Sequence, residues 1–108
     1  AYRLIMEYRN MIEACRKAHK RVFLATITPM RGSGYYNADR EEGRRIVNAW
    51  IRQQKVADGY LDFDALMRDP ASPTALRRQW ALSDHLHPNA TGYREMGRYA
   101  ADFFAKIK

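Results

Sequence analysis

Val22-Phe23-Leu24-Ala25-Thr26-Ile27-Thr28 decides the fold. The run is almost continuous in apolar and β-branched residues, which predicts a strand buried on both faces. Such strands belong to parallel sheets covered by helices. Pro29 ends it. Upstream, Leu4, Ile5, Tyr8, Met11, Ile12 and Cys15 recur at helical spacing and predict a helix over residues 2–19 with one buried stripe. Lys17, His19, Lys20 and Arg21 place positive charge near its C-terminus, where the helix dipole favours it. Downstream, Met30 to Asn37 reads as a loop at the strand's carboxyl end, with Gly32, Gly34, Tyr35 and Tyr36. Asp39 to Gln54 reads as the next helix, with Gly43, Ile46, Val47, Trp50 and Ile51 on one face. A helical glycine costs about 1 kcal/mol against alanine, so Gly43 is expected to mark a close approach to the sheet. Asp58-Gly59 signals a turn, and Tyr60 to Phe63 a second strand. Strand, helix, strand predicts a parallel, right-handed βαβ unit.

The remainder is less regular. Ala65, Leu66 and Met67 predict one helical turn before Asp69-Pro70 breaks it, and Thr74 to Trp80 predicts a short helix. Pro88 to Lys108 predicts the last helix, with proline suited to its first turn. Tyr93, Met96, Gly97, Ala100, Phe103, Phe104 and Ile107 form its apolar face. Two parallel strands and three main helices leave at least one sheet edge open, and an uncovered apolar edge favours association. Either another chain completes the sheet or residues 1–108 are one incomplete domain of something larger.

The composition sets bounds. A chain of 108 residues, 46% hydrophobic and 29% charged, has the ordinary make-up of one globular domain. No apolar run approaches the roughly 18 residues that would suggest a membrane helix. The opening Ala1-Tyr2-Arg3-Leu4 reads as helix interior rather than a signal peptide, which leaves the compartment open. A secreted or periplasmic bacterial setting is compatible with it. Cys15 is the only cysteine, so there is no disulfide framework, and its apolar helix position suits a small buried hydrophobe. The net charge of +7 comes mostly from arginines scattered among acids, Arg9, Arg16, Arg44, Arg45, Arg52, Arg94 and Arg98 among them. Solvated helix faces account for this pattern better than a nucleic-acid patch, and no helix-turn-helix or aromatic–basic motif stands out.

Chemistry concentrates in Ser83-Asp84-His85-Leu86-His87-Pro88-Asn89. A turn can bring the Asp84 carboxylate to one ring nitrogen of His87 and leave the other free. Such a pair is two thirds of a hydrolytic triad. The alternative is a helix-capping turn whose histidine only packs. Asp84, His85 and His87 could also ligate zinc, but no further cysteine or Glu-x-x-His partner stands elsewhere. The serines are weak nucleophile candidates. Ser33 lies in a flexible Gly-Ser-Gly loop, Ser72 precedes a proline, and Ser83 shapes the turn. Asn89-Ala90-Thr91 matches a glycosylation acceptor only by coincidence, in a helix's first turn. Tyr35, Tyr36 and Trp80 are either pocket-lining or packing aromatics.

Ser83-Asp84-His85-Leu86-His87-Pro88-Asn89-Ala90-Thr91-Gly92-Tyr93 resembles the last sequence block of SGNH (GDSL-type) hydrolases, where D-x-x-H-P is followed by N-x-x-G-Y. The order before it is also similar: a helix, an apolar strand ending in Thr26 to Pro29, a helix carrying Val47-Asn48-Ala49-Trp50-Ile51, and a strand ending Leu61-Asp62-Phe63. The resemblance implies a flavodoxin-like three-layer α/β/α sandwich with a parallel five-stranded sheet, of which this chain holds the C-terminal part. It implies a serine esterase acting on small-molecule or carbohydrate esters without a cofactor, with His87 and Asp84 as the catalytic histidine and aspartate. No G-D-S and no G-x-N-D occurs in the sequence, so the nucleophile and part of the oxyanion hole have no counterpart here. The chain alone is therefore expected to be inactive, and to dimerise or be completed by an N-terminal half. A basic, non-catalytic interaction module binding a partner protein or nucleic acid is the alternative, and steep salt dependence of binding would favour it.

Overall fold

In the computed structural model, which describes residues 1–108, β1 (Phe23–Ala25) and β2 (Gly59–Leu61) pair in parallel. Helix α2 (Ala38–Gln53) joins them, and α1 (Tyr2–Lys17) precedes them. After β2 come α3 (Phe63–Met67), the strands β3 (Arg68–Asp69) and β4 (Ser72–Leu76), a 3-10 turn at Arg78–Trp80, and α4 (Ala90–Ala105). The class is α/β, as the strand–helix–strand pattern predicts. No helix is long and apolar enough to cross a membrane.

The deciding strand is shorter and less buried than its composition suggests. Phe23 and Leu24 are half-buried and Ala25 is exposed, because the sheet stops at β1. The Thr26 N–H still donates to the Leu61 carbonyl at 3.0 Å. At Ile27 a side chain replaces the neighbouring strand. The Asn48 amide accepts from the Ile27 N–H at 2.7 Å and donates to the Ile27 carbonyl at 2.9 Å. With Thr26 facing β2, alternation turns the backbone groups of Phe23 and Ala25 to the open edge.

Successive side chains of a strand point to opposite faces, and different helices cover the two faces. Leu24 and Tyr60 pack on the cluster of Ile5, Val47 and Ile51 from α1 and α2, where Tyr8 stacks on Trp50. Phe23 meets Phe103 and Phe104 of α4 edge-on, at 5.8 and 5.2 Å between centroids. Burying a side chain the size of Val47 or Ile51 contributes roughly 1.5–3 kcal/mol. The radius of gyration is 14.7 Å, against about 13 Å for a compact domain of this length. Much apolar surface accordingly stays outside.

Local chemistry explains the helix ends. His19, at φ +57°, closes α1: its N–H donates to the Arg16 carbonyl and that of Lys20 to the Cys15 carbonyl, a left-handed C-terminal cap. Asn37, Asp62 and Asn89 cap α2, α3 and α4, each accepting from a backbone N–H three residues on.

Several expectations are corrected. Ser72–Leu76 is a strand antiparallel to β3, not part of a helix, because the Asp69 side chain accepts from the Ala71 N–H at 2.9 Å and turns the chain at Pro70. The chain thus has a second sheet, while the helical turn expected at Ala65 to Met67 is present as α3. Pro88 lies outside α4 and bridges to Ala81, since Asn89 is the better N-cap. Gly43 marks no close approach: a Cβ there meets nothing within 4 Å. The close approach is at Gly92, where a Cβ would lie 2.5 Å from the Trp80 carbonyl oxygen and 3.0 Å from Pro88 Cβ. Leu4 and Met11 of α1, and Tyr93, Gly97 and Phe104 of α4, are exposed rather than buried. Nor do all the arginines face solvent: Arg44 is buried and Arg52 half-buried.

Candidate active site

The Asp84 carboxylate organises the turn before α4. One oxygen accepts from the backbone N–H groups of Leu86 and His87 at 2.9 and 3.0 Å. The other meets His87 Nδ1 at 2.6 Å. An ionised carboxylate can only accept, so Nδ1–H donates, and Nε2 has no partner. The His87 ring, then the backbone N–H of His87 and that of Leu86, hold the Asp84 carboxyl far below the ordinary carboxylate range.

The stems of this turn are pinned from both sides. The Leu82 N–H donates to the His87 carbonyl at 2.9 Å, and the Asn89 N–H to the Trp80 carbonyl at 2.8 Å. Asn89 spends its whole amide here: Oδ1 accepts from the Gly92 N–H and Nδ2 donates to the Gln79 carbonyl. His85 adopts φ +57°, which costs a non-glycine residue about 1–2 kcal/mol. Its ring lies over Gly32, itself at φ +95°, where a Cβ would stand 3.0 Å from His85 Cγ. The loop after β1 is thereby fitted to the Asp84–His87 turn. His85 packs its ring carbons on Gly32, and no group of three metal-ligating side chains forms around Asp84 and His87.

His87 and Leu86 line a cleft of about 560 Å³ whose other walls include Leu4, Ile27, Met30 and Tyr35. Side-chain exposures of 58% for His87 and 46% for Asp84 leave the pair open to a ligand. Of the loop aromatics, Tyr35 reaches this cleft, Tyr36 lies under Arg31, and Trp80 lies under Arg77. Ser33 Oγ accepts from the Tyr35 N–H at 3.2 Å, Ser72 sits in β4, and Ser83 is exposed in the turn. The structure brings none of the three into hydrogen-bond contact with His87.

A second ionisable cluster, absent from the sequence reading, fills the carboxyl ends of β1 and β2. Buried Arg44 binds Glu41 through two bonds of 3.0 and 2.8 Å and Asp64 through one of 2.7 Å. Arg52 spans Asp62 and Asp64, with bonds of 2.7 to 2.9 Å. Thr26 Oγ1 donates to Asp62 and accepts from the Asp64 N–H. For Arg44, burial works against the charge, but Glu41 and Asp64 outweigh it and its pKa rises. Burial likewise pushes the Asp62 carboxyl up, yet Arg52, the Ala65 N–H and Thr26 bring it below its ordinary value. No buried polar side-chain atom lacks a partner. The sequence did carry a signal: Glu41, Arg44 and Asn48 fall at helical spacing on the same face as Val47 and Ile51, polar residues at core positions.

In comparison with known families, residues 1–95 match the GDSL-like Lipase/Acylhydrolase family. That span takes in Asp84, His87 and the start of α4. Comparison with curated proteins finds no match.

Proposed function

This chain belongs to the GDSL-like lipase/acylhydrolase family, and from that premise we propose that it carries the acid–base pair of a serine ester hydrolase. His87 is the proton-transferring base and Asp84 orients it. The observation that carries the reading is the 2.6 Å bond from His87 Nδ1 to Asp84, which leaves Nε2 uncommitted beside an apolar cleft. In the reaction a serine Oγ attacks the ester carbonyl as Nε2 takes its proton. The imidazolium, steadied by Asp84, returns that proton to the departing alcohol. Water then repeats the sequence on the acyl-enzyme and frees the carboxylic acid. No cofactor enters this scheme.

Ser33, Ser72 and Ser83 make no contact with Nε2, so the attacking serine is assigned to a segment outside these residues. The sheet is read in the same terms, as the last two strands of a flavodoxin-like three-layer sandwich whose next strand pairs along Phe23 and Ala25. Alone, the chain is expected to self-associate along that edge, which light scattering across a concentration series would reveal. A monomer at every concentration removes this part of the proposal.

Hydrolysis of p-nitrophenyl acetate tests the roles. Joined to the serine-bearing segment, the protein is expected to lose about 10⁴-fold or more in kcat on His87→Ala. Activity that survives this substitution overturns the reading. The 108-residue chain alone should do little more than free imidazole. Rapid turnover abolished by His87→Ala would instead place the nucleophile within it.

A further inference from the structure

The cleft beside His87 holds two arginines in unequal states. Arg44 is neutralised by Glu41 and Asp64. Arg40 makes no ion pair: its guanidinium lies 6.0 Å from the Tyr35 ring centroid, and one N–H donates to the Tyr35 carbonyl at 2.8 Å. Its other donors remain free. Asp39 and Glu41, its neighbours in sequence, do not reach it: Glu41 is paired with Arg44, and Glu42 beyond it with Arg45. The carbonyl bond and the neighbouring Tyr35 ring hold the guanidinium at the cleft wall, and a planar cation there suits a phosphate or carboxylate. Leu4, Ile27 and Met30 supply apolar surface in the same cleft. A site with an apolar wall and one uncompensated, positioned cation selects a ligand with both characters.

We propose that this cleft takes an amphiphilic anionic ester, its apolar chain against Leu4, Ile27 and Met30 and its anionic group on Arg40. Arg40 is then a specificity-determining residue. The inference rests on the ester-hydrolase reading of His87, because that reading makes the cleft a substrate site.

Calorimetric titration of the 108-residue chain with three probes tests it: octyl phosphate, uncharged octyl glucoside and inorganic phosphate. Octyl phosphate should bind most tightly. Arg40→Gln should weaken octyl phosphate about tenfold, the scale of one charge-assisted contact, and leave octyl glucoside within about twofold. Leu4→Ser should weaken both chain-bearing probes and leave inorganic phosphate alone. Octyl phosphate binding that ignores Arg40→Gln overturns the proposal. So does inorganic phosphate binding as tightly as octyl phosphate, which would trace affinity to the overall positive charge. His87→Ala protein should keep the same order of probes. Failure of the hydrolase reading would appear in turnover, and failure of this inference in binding.

Discussion

The Asp84–His87 turn and the Arg44–Asp64 cluster both join acids to bases, and both face the end of β1. Arg44 even borders the cleft that His87 opens into. Their bonding differs. Around Asp64 every charged group is committed: one carboxylate oxygen takes Arg44, and the other takes Arg52 and, at 3.4 Å, Arg68. In the turn, Asp84 is fully used but His87 keeps one nitrogen without a partner. The buried cluster can exchange no proton without breaking an ion pair. The exposed turn can, because its bonds fix the ring by one atom and spare the other. What sets the proposed catalytic turn apart from the cluster is less its charges than the atom left over.

The sharpest way to break this comparison is to remove Asp64. Asp64→Ala strips a partner from Arg44 and Arg52 and leaves buried positive charge uncompensated. The expected loss is about 3–5 kcal/mol, read as a lower urea midpoint, and it would consume much of the 5–15 kcal/mol typical of a domain. A cost below about 1 kcal/mol, the range of surface ion pairs, would mean the cluster is not structural and deserves testing for chemistry.

How far each region could be read from sequence follows the same division. The turn was legible because its partners are local: Asp84, Leu86 and His87 lie within four residues, and Asx-turn chemistry is written in their order. The βαβ core was legible from hydrophobic period. The cluster was not, because Arg44, Arg52, Asp62, Asp64 and Thr26 come together only when β1, α2 and β2 are assembled. A helical arginine reads as surface unless its position on the apolar stripe is weighed. The hairpin at Arg68–Leu76 escaped for another reason. Two prolines ruled out a long helix, but only the bond from Ala71 to Asp69 fixes the turn that makes strands. The exposed apolar residues of α1 and α4 were misread because periodicity reports a face, not what covers it.

Smaller effects test the frame that holds the turn. Gly92→Ala should cost about 1–3 kcal/mol, as overpacking does, because a Cβ would press on the Trp80 carbonyl that anchors Asn89. Thermal melts should show the loss, and an unchanged midpoint would mean that α4 shifts freely against the turn. At Gly43, with open space around it, alanine should instead raise stability by about 1 kcal/mol through helix propensity alone. Destabilisation there would reveal a neighbour that the fold does not show.

The smallest expected effect is the most specific to the turn. Asp84 has a lowered pKa in the folded chain, owing first to His87 and then to backbone N–H groups. A group depressed on folding adds stability above its unfolded pKa, about 3.9 for aspartate. That increment fades as pH falls toward the folded value. Asp84→Asn keeps an oxygen that can accept from Leu86 and His87, so the loop is retained while the charge is lost. Wild type should therefore melt slightly above Asp84→Asn at pH 6, and the gap should close on acidification below pH ~4. Asp58 and Asp62 are also lowered, but they are present in both proteins and cancel in the difference. A gap constant with pH would mean that Asp84 acts by shape alone. A gap that closes shows that the charge of Asp84 is at work; with the backbone bonds of the turn kept in Asp84→Asn, a fall in turnover once the chain is joined to its serine-bearing segment is then expected to report an imidazole that has lost its orienting partner rather than a turn that has come apart.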